Sequence, residues 1–216
     1  MKKLVAIAAA VAAIAPFAAR AESTLTVNPG TGTTTATAHL DFTINVPKML
    51  FLQIGTGTSY AANGTVSNII FDVPAGSNGG GAIAGTGGDL SGGSVTVRVV
   101  GNTGNVGITN SVTGPLTSGV VGAPTVPWSD ITVTPSALAT TTFGFTNTGI
   151  SHPTFNTAAS GGQSPLVSLI ASNGVVRQEG SWTFAYANKL FLPAGTYGGS
   201  TPSANNGRVT YTAAAA

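Results

Sequence analysis

Apolar residues in this chain recur at every second position and almost nowhere at the spacing of a helix face. Such a period marks strands with one buried side, because successive side chains of a strand point to opposite faces. The clearest run is 37–46. There Leu40, Phe42, Ile44 and Val46 share one side and His39, Asp41, Thr43 and Asn45 the other, and Pro47, which has no N–H to donate, closes the run. Further strands are expected at 49–54, 68–73, 94–100, 105–111, 130–134, 166–170, 181–187 and 207–212. Gly, Pro, Asn and Ser clusters, the chemistry of turns, separate them. Many short strands without a convincing helix predict an all-β chain, an antiparallel immunoglobulin-like or jelly-roll β-sandwich, with a closed barrel as the alternative. No fixed-period repeat argues for a solenoid or propeller.

Two stretches break the pattern. Residues 75–94 carry Gly79-Gly80-Gly81 and Gly87-Gly88 and are expected to form a mobile loop that buries little. Residues 147–164, polar around His152-Pro153, are expected to cap one end of the fold or to form a binding loop.

The N-terminus, Met1-Lys2-Lys3 followed by an apolar run and Ala19-Arg20-Ala21, reads as a bacterial secretory signal peptide over 1–21, leaving 22–216 as a single domain. Without Lys2, Lys3 and Arg20, five cations face six acids, so the exported chain is close to neutral. Scattered cations cannot supply the counterion release that phosphate binding uses, which argues against nucleic acid as a partner and against a polybasic membrane patch. Charged residues make up only 6% of the chain, and so little like-charge repulsion opposes self-association. With no Cys there is no disulfide, thiolate metal site or cysteine nucleophile, and no later run is long enough for a membrane span.

Tests for chemistry come out mostly negative. A hydrolytic triad could draw only on His39 or His152 as base; His39 falls on the outward side of its strand, and His152 sits beside Ser151 without a nucleophile elbow. Glu22, Asp41, Asp72, Asp89, Asp130 and Glu179 suggest no facing pair for glycoside chemistry, and Glu179 is expected to pair with nearby Arg177. Neither a clustered metal-ligand set nor a phosphate-cradling loop is evident, so no cofactor or metal is expected. Trp182, Phe184 and Tyr186 alternate, as do Val209 and Tyr211, and these five are expected in the core. Trp128, at the head of a strand, and His152, in its polar loop, remain as candidate ligand contacts.

Near the C-terminus the chain reads Ser181-Trp-Thr-Phe-Ala-Tyr-Ala-Asn188, then Leu192-Pro-Ala-Gly-Thr-Tyr-Gly198, then Gly207-Arg-Val-Thr-Tyr-Thr212. This ending resembles that of bacterial fimbrial-type β-sandwich subunits. The resemblance implies a pilin-like subunit exported to the periplasm and assembled at the surface by strand donation through a chaperone and usher. Leu25 and Val27, alternating at the mature N-terminus, are the candidate strand-donating residues, although Pro29-Gly30 interrupts after them.

The expected function is therefore that of an exported, non-enzymatic structural or adhesive surface protein, in the periplasm, at the cell surface or outside the cell. Its expected partners are further copies, other surface subunits, and a periplasmic chaperone and usher. The alternative is a monomeric secreted carbohydrate- or protein-binding module using Trp128 and His152.

Overall fold

Valines set the two central strands. In the computed structural model, which describes residues 23–58, 60–199 and 204–215, β5 (Ser94–Gly101) turns Val95, Val97 and Val99 to one side. Likewise β6 (Val106–Val112) buries Val106, Ile108, Asn110 and Val112 and turns Gly107, Thr109 and Ser111 away. The expected signal peptide lies outside the described residues, apart from which the chain divides at Val46/Pro47 into two units.

The larger unit is all-β. Its first sheet runs in the order β1 (Leu50–Ile54), β5, β11 (Val176–Tyr186) and β3 (Ile83–Ala84), and β7 (Ile131–Ser136) and β8 (Thr146–Asn147) also pair with β11. Its second sheet has the order β10 (Val167–Leu169), β6, β12 (Thr210–Ala215), with β9 (Gly162–Gln163) also on β6. A two-stranded ribbon joins β2 (Ile69–Ile70) to β4 (Thr86–Gly87). Every pairing is antiparallel except that of β8 with β11. Val95, Val97, Val99, Trp182, Phe184 and Tyr186 of the first sheet join Val106, Ile108, Val112 and Leu169 of the second in one buried cluster. Burying each such side chain stabilises the fold by about 1.5–3 kcal/mol.

The opposite face of the first sheet is also covered. Arg98 on β5 stands directly across from Gln53 on β1 and Glu179 on β11. The Arg98 Nε donates to Glu179 Oε2 at 2.9 Å, and the fully buried carboxylate accepts a second bond from the Thr142 N–H at 2.5 Å. Glu179 thus pairs with Arg98 and not with Arg177, because β11 places the nearest cation across the strand pair. Arg177 and Arg98 instead flank the buried Phe145 ring, their guanidinium carbons 5.0 and 5.9 Å from its centroid, an arrangement that cation–π attraction favours.

Two expectations are corrected here. Residues 37–46 alternate perfectly yet form no strand, and Leu40, Phe42, Ile44 and Val46 are 75 to 87% exposed. The glycine-rich stretch 75–94 stays mostly exposed, as expected of a segment that buries little, and hydrogen bonds join it to the strands beside it. The Gly85 N–H donates to the Phe184 carbonyl, the Phe184 N–H donates to the Gly93 carbonyl, and the Asp89 side chain accepts from the Thr96 N–H. Its glycines permit this closeness: a Cβ on Gly88, whose φ is +77°, would fall 2.0 Å from the Ser94 carbonyl oxygen. Finally, β12 lies three residues beyond the expected start, with Ala213, Ala214 and Ala215 inside the strand.

Candidate functional site

The segment after β8 is held against the second sheet by one buried asparagine. Asn110 of β6 donates from its side chain to the Pro153 carbonyl at 2.5 Å, and its main chain exchanges hydrogen bonds with Ser164. Nearby, the Trp182 indole N–H donates to the Ile150 carbonyl at 2.6 Å. The segment between these anchors carries His152 and Phe155, so the path of residues 150–164 is set by strand residues.

Trp128 reaches the same place from the other side. Pro127 precedes a single 3-10 turn, Trp128–Asp130, which leads into β7. The indole is only 6% exposed and donates from Nε1 to the Gly114 carbonyl at 2.7 Å. Its ring centroid lies 4.9 Å from that of Phe155, which lies 4.7 Å edge-on from the His152 ring. Behind them stand Trp182 and Tyr211, 4.6 and 5.6 Å from the imidazole. The His152 Nε2 and the Tyr211 hydroxyl are hydrogen-bonded at 2.8 Å.

Trp128, Phe155 and His152 border a cavity of about 480 Å³, with Ser129, Ser151 and Thr154 at its rim. Burial among rings pushes the His152 imidazole down to about 4, so it is neutral at neutral pH. Burial likewise pushes the Tyr211 hydroxyl far above its ordinary range. A neutral imidazole already engaged by a phenol is poorly placed to activate a serine, and no cluster of three metal-ligating acids, histidines or cysteines occurs among the described residues.

The two candidate contacts, Trp128 and His152, thus lie on one cavity, joined by Phe155. No family model, curated protein or solved structure matches the chain. The fimbrial resemblance accordingly rests on the quoted residues alone.

The candidate strand-donating residues fare differently. Leu25 and Val27 are exposed and lie in no strand. A longer exposed alternation follows at Leu40 to Val46. Within the larger unit, β12 ends the hydrogen-bonded order of its sheet, with β6 on one side and β1 of the first sheet nearby without a ladder. Its inward residues Tyr211, Ala213 and Ala215 are only partly buried against the core.

Sequence reasoning missed Asn110 and Phe155. Asn110 left a trace, a polar residue on the apolar side of the alternation Val106, Ile108, Asn110, Val112, where a buried amide must have a specific partner. Phe155 left none, since a single aromatic residue in a polar loop has no period.

Proposed function

We propose that the chain is an exported, non-enzymatic surface protein, a fimbria-like structural or adhesive subunit built on an immunoglobulin-like β-sandwich, which assembles by adding a strand to a neighbouring copy. The observation that carries this reading is the exposed alternating run Leu40, Phe42, Ile44, Val46. A soluble protein gains nothing by holding four large apolar side chains in water on one side of an extended segment. In a groove each would contribute about 1.5–3 kcal/mol. The side of β12 that carries no ladder is the acceptor on this reading, because main-chain groups there can extend the sheet to a strand from a second chain. The donor on this reading is 38–46, with Leu25 and Val27 preceding it. A periplasmic chaperone would cover the run before assembly, and an usher would export the subunit.

Material purified from the native cell surface should run as a ladder when unboiled, collapse to monomer on boiling, and show filaments by electron microscopy. Removing 22–35 should leave the ladder intact, whereas Phe42→Asp with Ile44→Asp should abolish it without unfolding the larger unit. A ladder that survives both aspartates would sink the proposal.

A further inference from the structure

We infer that the cavity between the head of β7 and the segment carrying His152 is a binding site for a neutral saccharide, a function separate from assembly. Its volume, about 480 Å³, lies within the range of small-ligand sites and suits a mono- or disaccharide. Its lining, which also includes Ile131, Val133 and Pro135, disfavours charged ligands. No Asp, Glu, Lys or Arg borders the cavity, so phosphorylated, sulfated and acidic ligands would find no counter-charge. What the cavity does offer is the pairing a pyranose requires. The half-buried Phe155, packed beside Trp128, lines the cavity and is the aromatic group available to the C–H face of a sugar. Around it, the hydroxyls of Ser129, Ser151 and Thr154, all exposed, can each donate or accept, as sugar hydroxyls do.

The walls are fixed before any ligand arrives. Trp128 is tied to Gly114, Pro153 to Asn110 and His152 to Tyr211, so little ordering cost remains to be met on binding.

The test is saturation-transfer difference NMR on the mature protein, with methyl glycosides of neutral hexoses and N-acetylhexosamines as probes and sialyllactose as the charged comparison. At least one neutral probe should show transfer. Phe155→Ala should weaken its binding by about tenfold or more. Ser151→Asp, an exposed rim change that leaves the core untouched, should weaken it comparably. Transfer to none of the neutral probes would overturn the inference, as would stronger binding of sialyllactose or wild-type affinity in both variants. Filament formation does not enter this readout, so a failed assembly proposal would leave it standing.

Discussion

Lowering the pH from about 7.5 to about 4.5 should weaken the fold by about 2.5 kcal/mol through His152 alone. The imidazole has an ordinary value of 6.5 and is pushed to about 4 by burial against Trp182, Phe155 and Tyr211. Between those values the unfolded chain binds a proton that the folded chain refuses, so stability rises with pH across that window and falls as acid is added. Below about pH 4 both states are protonated and this contribution levels off, for a full difference of about 3–4 kcal/mol at about 1.4 kcal/mol per pH unit. Urea unfolding followed by Trp fluorescence across the pH range would measure it. His152→Asn, which cannot titrate, provides the baseline: wild type should lose about 2.5 kcal/mol more than the variant over this interval. Parallel pH profiles would refute the reasoning, as would an NMR titration of the His152 ring with a midpoint near 6.5.

Two other perturbations test the ion pair and the glycine-rich segment. Burial pushes the Glu179 carboxyl up, but hydrogen bonds from the Thr142 N–H and from Arg98, together with the Arg98 charge, outweigh it and hold the group below its ordinary range. Arg98→Met should therefore cost about 3–5 kcal/mol by leaving a buried carboxylate without its counter-charge, and adding Glu179→Leu should recover part of that loss. A single variant within about 1 kcal/mol of wild type in urea unfolding would contradict this. Gly88→Ala should lower stability by more than about 1 kcal/mol, because its φ is +77° and its Cβ would meet the Ser94 carbonyl; an unchanged melting temperature would contradict this.

The long valine alternations were legible. β5, β6, β7 and β10 fall where apolar residues alternate and β1 in a short continuous apolar run, and each has a partner strand that rewards the pattern. The first half of β11 was not, since Arg177, Glu179 and Gly180 look like turn and surface residues until Arg98 and residues 138–147 cover them. The last strand was expected to end at Thr212, yet pairing with β6 carries β12 to Ala215. The run 37–46 shows the opposite error: alternation records what a segment is suited to bury and not whether a partner lies within the same chain. At the cavity, Trp128 and His152 stood out as isolated unusual residues, while their connection through Phe155 depends on contacts that no local pattern encodes.

The buried ion pair also settles which of several near-equivalent alignments the central strands adopt. β5 repeats valine at 95, 97 and 99, so sliding it two residues along β11 would keep every valine on the apolar side and cost the core little. The same slide would carry Arg98 past Glu179 and leave two charges enclosed without each other. Interchangeable valines tolerate many alignments; a single arginine opposite a single glutamate leaves one, and the sheet built outward from these strands inherits that choice.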